Sequence, residues 1–406
     1  MADFTLTSLV NKVVFVENRL ETENNMKKEM LRLAFIGGGI NSAVGYVHFA
    51  ATQLDAKFRV VAGVFSKDRE TNQNTAQYWN IPKEKAYDNY EGMIENEEKN
   101  IDAVVILTPT PNHEEIIIYL LEKNIPIICE KAITCGLKEL DQIKRYYNPD
   151  KHFLAVTYNY SGYAMVRELK HVIDCGSIGE VQKIHLEMPQ EGFKRPPDIA
   201  GKKSKPQEWR LKDYEIPTIC LDLGVHLHHL SSFLLGVEPN SVCANFSNHS
   251  DFDDLIDDVT MLLKYPNGIS GTMWMSKTAI GHRNGLRIRV YGTNGSAEWF
   301  QLDPDELKIN RSDGSREIID RAGGCKYASL FRYNRMKPGH PTGFIEAFAN
   351  LYSDIADALS SHLAGKGVAH NYVFGLEHSK NGLELFSAAK KSAADNVWTD
   401  TLNYSD

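Results

Sequence analysis

The stretch LAFIGGGINSAVGYVHFAA, Leu33–Ala51, places three consecutive glycines between an apolar run and the start of a predicted helix. A narrow turn of this kind leaves backbone N–H groups at the positive end of the helix dipole, where a phosphate can bind. Gly37 and Gly39 fit the opening of a G-x-G-x-x-G motif, but the sixth position is Ser42 and the next glycine is Gly45. Taken alone, the stretch fits a pyrophosphate site and an ordinary strand-to-helix turn equally well.

The sequence around this turn alternates short apolar runs with helical patterns from Leu31 to about Val156, which predicts a parallel sheet. The runs are LRLAFIG, FRVVAGVF, DAVVILT, IPIICE and FLAVTY. Because they are apolar on both faces, helices should cover both sides of the sheet. This is the doubly wound α/β arrangement, whose ligand crevice lies at the carboxyl ends of the strands. The context therefore favours the phosphate interpretation of the glycine turn.

Length and composition indicate a globular protein of two domains. The chain has 406 residues, of which 42% are hydrophobic and 24% charged. Its net charge of −8 argues against a surface built for nucleic acid or for an anionic membrane.

The six cysteines are scattered without C-x-x-C spacing, which is typical of reduced thiols in the cytoplasm. The N-terminus lacks the features of a signal peptide, and no apolar run approaches the length of a membrane span. We therefore expect a cytoplasmic protein that does not insert into membranes. Residues 1–30 are predicted to form a polar extension, either a short helix or a tail, without a chemical role.

A different pattern follows Tyr158. One helix-like segment precedes several strands joined by hairpin turns, which predicts an α+β domain with a largely antiparallel sheet. Two long helices are expected near 343–361 and 372–391. We accordingly predict an extension at 1–30, a dinucleotide-binding domain at 31–157, and a domain for substrate binding and oligomerisation at 158–406.

The second predicted strand ends at Ser66, about 20 residues beyond the last glycine, where NAD enzymes place an acidic residue on the adenosine ribose. Ser66, Lys67 and Arg69 could accept a ribose 2′-phosphate, whereas Asp68 could bind the ribose hydroxyl. A solvated, charged helix start explains any one of these residues equally well.

Two further strand ends carry LTPTPNH, Leu107–His113, and CEKAIT, Cys129–Thr134. A lysine at such an end, beside a bound nicotinamide, can stabilise an alkoxide and lower the pKa of a sugar hydroxyl. Lys131 is the candidate, although most Glu-Lys pairs are surface ion pairs.

The segment CLDLGVHLHHL, Cys220–Leu230, contains the candidate base. In a helix Asp222 and His226 share one face, so the carboxylate could orient the imidazole and stabilise its charge. His229 lies three residues further along. A metal site formed by these three residues and an ordinary surface histidine are the alternatives.

The four motifs GGG…G, TPTPNH, EKA and DLGVH together resemble the Gfo/Idh/MocA family, in order and spacing over nearly the whole chain from Leu31. The resemblance implies an N-terminal Rossmann domain that binds NAD or NADP. It also implies a C-terminal α+β domain whose open sheet often mediates oligomers. Lys131, Asp222 and His226 match the positions of the family's catalytic residues.

The resemblance also implies a set of cofactor-binding residues, with three departures from the family pattern. The set is Gly37, Gly39, Ile40, Asn41, Ser66, Lys67, Arg69, Thr108, Pro109, His113, Glu130 and Lys131. The glycine turn is longer than usual, so the pyrophosphate is expected on the backbone of Ile40 and Asn41. Thr110 replaces the usual asparagine. Ala132 replaces the family's proline, and the Lys-Pro bond before that proline is usually cis. Whether the Lys131–Ala132 bond is also cis is left open.

The resulting hypothesis is a nicotinamide-dependent dehydrogenase acting on a secondary hydroxyl of a sugar, polyol or sugar derivative. In it, His226 takes the hydroxyl proton, Asp222 holds His226, and Lys131 stabilises the alkoxide. Ser66, Lys67 and Arg69 favour NADP over NAD. The alternatives are a glycosidase that oxidises a ring hydroxyl transiently with bound NAD, and a regulator that binds the cofactor without turnover.

Further expectations concern the substrate, metals and assembly. The residues predicted to contact substrate are Asn159, Tyr160, Tyr163, Trp209, Arg210, His229 and His340. No metal is expected. Apolar residues in Val259–Leu263 and Met273–Met275 predict that a second subunit covers part of the sheet, which gives a homodimer or homotetramer.

Overall fold

The computed structural model describes residues 30–196, 206–367 and 370–401. The predicted N-terminal extension therefore lies almost wholly outside the described residues. No helix in these three ranges combines the length and apolar character needed to cross a bilayer.

The first sheet is the predicted parallel one. Its strands are β1 (Leu31–Gly37), β2 (Phe58–Val64), β3 (Ala103–Leu107), β4 (Ile127–Cys129) and β5 (Leu154–Val156). All pairs are parallel and the order is β2-β1-β3-β4-β5. Because β1 lies between β2 and β3, the chain reverses its direction of winding at β1, and the carboxyl ends of β1 and β3 flank the crevice where such folds bind ligands.

Helices connect these strands and cover the sheet. They are α1 (Ala43–Leu54), α2 (Arg69–Tyr78), α3 (Tyr90–Glu97), α4 (His113–Glu122) and α5 (Leu137–Tyr146). The α/β class of this domain is confirmed.

The second sheet has nine strands in the described residues and is mostly antiparallel, as predicted. They are β6 (Val181–Pro189), β7 (Ser241–Ser247), β8 (Asp258–Lys264), β9 (Ser270–Ser276), β10 (Arg287–Gly292), β11 (Gly295–Phe300), β12 (Glu306–Arg311), β13 (Arg316–Asp320) and β14 (Thr399–Asp400). Their order is β13-β12-β11-β10-β6-β9-β8-β7-β14. The central pair β6–β9 is parallel. Strands β7 and β14 were not predicted from the sequence.

Helices cover one face of this sheet: α6 (Ala164–Asp174), α7 (Val225–Leu235) and α9 (Leu376–Asp395). The other face is more exposed, since burial alternates along β8 and Leu262 keeps 48% of its surface accessible. The nine strands thus form an open sheet in the single chain.

Helix α8 (Phe344–Leu363) lies beyond the predicted domain boundary but packs against the first domain. Its buried residues, including Phe348, Leu351 and Ile355, share one core with Phe35 and Phe58 of the parallel sheet. Contact with α1 brings the N-terminal turn of α8 beside the strand ends that form the crevice. The chain therefore returns to complete the first domain after building the second.

Candidate active site

The glycine turn is built for close backbone approach. Gly37 and Gly38 have φ values of +86° and +76°, which side-chain-bearing residues rarely adopt. A Cβ on Gly37 would lie 2.8 Å from the backbone of Leu107 at the end of β3. A Cβ on Gly45, in α1, would lie 1.8 Å from the carbonyl oxygen of Gly38. The last glycine is thus required for packing the helix start onto the turn.

The backbone groups after the turn are only partly available to a phosphate. The N–H of Ile40 donates to Oγ1 of Thr75 at 3.1 Å, so its predicted contact with pyrophosphate is not supported. Asn41 is exposed at the start of α1, and Ser42 caps that helix by accepting from the N–H of Gly45 at 3.2 Å. Of the predicted pair, Asn41 remains the candidate.

The segment after β2 presents the predicted charges on the same edge. Lys67 and Arg69 are exposed, whereas Ser66 is half-buried and accepts from the N–H of Asp68. Asp68 caps α2 by accepting from the N–H of Thr71 at 2.8 Å, and this hydrogen bonding lowers its pKa. The carboxylate proposed for a ribose hydroxyl is therefore engaged in capping.

The TPTPNH segment follows β3. Pro109 is exposed, and the buried Oγ1 of Thr108 has no hydrogen-bond partner in the part of the chain that the structure describes. His113 is fully buried, and its two ring nitrogens lie 2.9 Å from the carbonyl oxygens of Thr108 and Ala132. Burial lowers its pKa. This ring joins the ends of β3 and β4 through both of its nitrogens, and its contact with the cofactor stays a prediction.

Glu130, at the end of β4, is a buried carboxylate with hydrogen-bond donors around it. Its Oε1 accepts from Oγ1 of Thr157 at 2.5 Å and lies 3.0 Å from Nε2 of His48, whose Nδ1 lies 2.7 Å from the hydroxyl of Tyr352. Burial alone would raise the pKa of Glu130, but the contact with His48 and the charge of Lys131 hold it at about 2. Glu130 is thus ionised and linked to both α1 and α8.

Lys131 reaches across the crevice to the second domain. Its Nζ donates to the carbonyl oxygen of Asp222 at 2.9 Å and to Oδ1 of the same residue at 3.1 Å. The Lys131–Ala132 peptide bond, left open by the sequence, is cis. The two hydrogen bonds to Asp222 hold the lysine in one position at the strand end.

Asp222 is surrounded by cations. While Oδ1 binds Lys131, Oδ2 contacts Nη1 of Arg210 at 2.5 Å and Nζ of Lys277 at 2.6 Å. Burial opposes ionisation, but Lys277, Arg210 and Lys131 hold the pKa of Asp222 well below its usual value. The Asp222 carboxylate therefore orients these three cationic side chains.

His226 is not held by Asp222 as predicted. Asp222 lies in a π-helical turn, Cys220–Gly224, where a spacing of four residues does not align side chains as it does in an α-helix. The buried Nδ1 of His226 has no partner among the described residues. Burial and the charge of Lys131 keep the pKa of His226 well below 6.5, so the imidazole is neutral at neutral pH.

These residues line a cavity of about 370 Å³ between the two domains. Its lining comprises Val44, Val47, Glu130, Lys131, Asn159, Tyr160, Met188, Gln190, Arg210, Asp222, Leu223, His226, Lys277, Asn284, Phe344 and Phe348. The sequence did not predict Lys277, Asn284 or the phenylalanines of α8 at this cavity. Lys277 directly follows β9, so the strand-end argument applied to Lys131 could have found it.

Three of the predicted substrate residues line the cavity: Asn159, Tyr160 and Arg210. The buried Nδ2 of Asn159 has no partner in the described chain, and the hydroxyl of Tyr160 accepts from Asn284 at 3.1 Å. Trp209 does not line the cavity, but its ring supports the Arg210 guanidinium at 4.4 Å.

Tyr163, His229 and His340 do not line the cavity, contrary to prediction. Tyr163 is buried against Trp299, and His340 is exposed on a loop. His229 is fully buried, with its nitrogens 2.9 Å from His378 and from the hydroxyl of Ser161. Within the described ranges, no group of three or more His, Cys, Asp or Glu side chains could hold a metal ion.

The strand ends fit a dinucleotide. The backbone at Gly37 has no room for a Cβ, and a Cβ at Gly39 would lie in tight contact with the carbonyl oxygen of Phe65, at 3.0 Å. Such a bare backbone lets a pyrophosphate approach closely. The Thr108 hydroxyl, without a partner among the described residues, lies at the end of β3, next to the end of β4 that carries Lys131.

Comparison with known proteins supports a dinucleotide site at these strand ends. Residues 31–158 match the oxidoreductase family described as having an NAD-binding Rossmann fold, and residues 166–298 match the GFO/IDH/MocA C-terminal domain. The chain is 30% identical over 384 residues to the uncharacterized oxidoreductase YfiI of Bacillus subtilis, covering 91% of this chain and 96% of that protein.

Two further relatives have names that state an activity. The chain is 27% identical over 275 residues to a D-xylose 1-dehydrogenase [NADP(+)] of Haloarcula marismortui, covering 66% of this chain and 70% of that one. It superposes with a TM-score of 0.82 on an inositol dehydrogenase homolog of Azotobacter vinelandii complexed with NADH and myo-inositol, at 25% identity, covering 92% and 98% of the two chains. The chain belongs to the GFO/IDH/MocA family of NAD(P)-binding oxidoreductases.

Proposed function

We propose that this protein is an NAD(P)-dependent dehydrogenase that oxidises a secondary hydroxyl of a sugar, polyol or sugar derivative, or reduces the corresponding ketone. The observation that carries the proposal is one cavity, at the strand ends of the dinucleotide-binding sheet, that contains both a neutral histidine and a fixed lysine. The relatives named for xylose and inositol support the substrate class.

His226 is the proposed base. Because its Nδ1 is buried, Nε2 is the nitrogen that would accept the hydroxyl proton from a substrate in the cavity. Lys131 would place its positive charge beside the oxygen as that proton leaves, and Asp222 would keep the lysine in position. A bound nicotinamide dinucleotide supplies a hydride acceptor for oxidation and a donor for reduction.

We propose that NADP binds better than NAD. Lys67 and Arg69 offer exposed positive charges after β2, and the carboxylate of Asp68 is engaged as a helix cap. Calorimetric titration with both dinucleotides measures the preference, and Lys67→Ala with Arg69→Ala should weaken NADP far more than NAD. Equal weakening would count against this part of the proposal.

The function itself is tested by binding and turnover. Binding of neither NAD nor NADP would rule it out. A Gly39→Val variant should lose dinucleotide binding because the added side chain would block the approach of the pyrophosphate to the backbone. Gly323→Val should not, since a Cβ there meets no atom within 4 Å. Reduced nicotinamide should accumulate in proportion to oxidised sugar or polyol. Product without net cofactor consumption would indicate the glycosidase chemistry instead.

We further propose a cytoplasmic dimer or tetramer. The six cysteines are unpaired, and the open face of the second sheet exposes Leu262 and Tyr291, at 48% and 39% of their surfaces. A monomeric mass in light scattering at micromolar concentration would contradict the assembly.

A further inference from the structure

The positive and negative charges of the side chains that line the cavity are unequal in number. Among the described residues that line it, three are cations, namely Lys131, Arg210 and Lys277, and two are carboxylates, namely Glu130 and Asp222. Since His226 is neutral, the described residues that line the cavity carry one positive charge in excess. A neutral sugar would leave this charge uncompensated, which is unfavourable in a partly buried site.

The excess positive charge lies on the side of Asp222 away from Lys131. Arg210, on the short helix Glu208–Leu211, and Lys277, directly after β9, both contact Oδ2, whereas Lys131 contacts Oδ1. Lys277 also donates to Oε1 of Gln190 at 2.8 Å, and Arg210 stacks on Trp209. Both cations are therefore held in place by neighbours rather than free in solvent.

The burial of Lys277 makes a further anion favourable. Burial and the adjacent charges of Arg210 and Lys131 lower its pKa, and the carboxylate of Asp222 is shared among all three cations. A second anion beside Lys277 would reduce this repulsion. The neutral proton acceptor, His226, would meanwhile stay available for chemistry.

We propose that the substrate is a polyhydroxy acid whose carboxylate binds Arg210 and Lys277. The proposal rests on the proposed dehydrogenase function and narrows its substrate class. An excess of one charge matches a carboxylate rather than a phosphate dianion, and a planar carboxylate complements the guanidinium fork of Arg210. The reacting hydroxyl would bind beside Lys131, on the Oδ1 side of Asp222, and the acid group beside Arg210 and Lys277, on the Oδ2 side. The oxidised hydroxyl therefore lies within a few bonds of the acid group.

The test compares matched acids and neutral compounds with the cofactor-loaded protein. Aldonates are paired with alditols, and uronates with hexoses of the same configuration, with sugar 6-phosphates and myo-inositol as further probes. For at least one pair, kcat/KM should be about tenfold or more higher for the acid, because charge-assisted hydrogen bonds contribute that much. If none is oxidised, calorimetry should still detect tighter binding of an acid than of its neutral partner.

Equal or better use of the neutral compounds would overturn the inference while leaving the dehydrogenase proposal standing. A preference for a sugar phosphate would also overturn the assignment of a carboxylate, as would failure of every acid to bind. Failure to bind any nicotinamide dinucleotide would instead overturn the proposed function.

Substitution of Lys277 is the second test of the proposed carboxylate site. Lys277→Met should raise KM for the acid by about tenfold or more, with a much smaller change for the neutral partner. Lys277→Arg should restore most of the discrimination. Lys138→Met, at an exposed position on α5, is the matched control. An equal loss for acid and neutral substrates, with a lowered Tm, would show that Lys277 is only structural and would overturn the inference.

Discussion

His226 and His229 lie one turn apart on the same helix, and both are buried, yet their surroundings differ. Both nitrogens of His229 lie within hydrogen-bonding distance of partners, and its ring stacks on Tyr158 at 4.5 Å. His226 instead lines the cavity, and its Nδ1 has no partner among the described residues. Burial lowers the pKa of both. A lowered pKa therefore does not separate the proposed base from a structural histidine, whereas access to the cavity does.

The largest expected effect tests this distinction directly. His226→Ala should lower kcat by roughly 10² to 10⁴, since general-base catalysis contributes about that much, while dinucleotide affinity stays nearly unchanged. Steady-state kinetics and calorimetry measure the two quantities. His249→Ala, at an exposed histidine, is the control. Wild-type turnover by His226→Ala would remove this residue from the mechanism.

The next effect concerns the carboxylate beside the base. Asp222→Asn keeps the shape but leaves Lys131, Arg210 and Lys277 without their shared counter-charge. Because hydrogen bonds to charged groups contribute about 1.5–3 kcal/mol, kcat/KM should fall about 10- to 100-fold. The pH profile of the variant should still show the titration of His226. Loss of that titration would mean that Asp222, rather than His226, accepts the proton.

The sequence was informative where periodicity fixes geometry. Parallel strands end at one edge of a sheet, so the glycine turn, Ser66, Thr108 and Lys131 were correctly placed together without knowledge of any contact. The pattern of hairpin turns likewise predicted the second sheet.

Contacts between distant segments were not predictable in this way. Lys277 reaches Asp222 only because β9 ends beside the π-helical turn, and Phe344 enters the cavity only because α8 returns to the first domain. His229 matched a plausible helical spacing but faces the core. Motif spacing indicates which residues share a helix, whereas the packing of other elements decides which of them reaches the cavity.

A smaller effect is expected at His229, and it should appear in stability. His229→Ala leaves Nε2 of His378 without this partner, which costs about 1–3 kcal/mol for a buried polar group left unpaired. The hydroxyl of Ser161 also loses its contact with His229 but still donates to the carbonyl oxygen of Tyr158 at 3.1 Å. Urea unfolding should report this loss, while kcat of the folded variant should stay close to that of the wild type. A large fall in kcat with unchanged stability would reverse the roles assigned to the two histidines.

The last expected effect is a pH dependence of stability from His378, which lies 2.9 Å from His229. Burial and the neighbouring His228 lower its pKa to about 3, whereas an unfolded histidine has a pKa of about 6.5. Between these values the unfolded chain binds a proton that the folded chain does not, so stability should fall as pH drops below about 6.5. One such group changes the free energy of unfolding by up to about 1.4 kcal/mol per pH unit below about pH 6.5. Above about pH 6.5 it contributes no slope. The slope should shrink by about this amount in His378→Gln but not in His249→Gln, as measured by urea unfolding at several pH values; identical slopes in all three proteins would show that His378 is not held neutral by the fold.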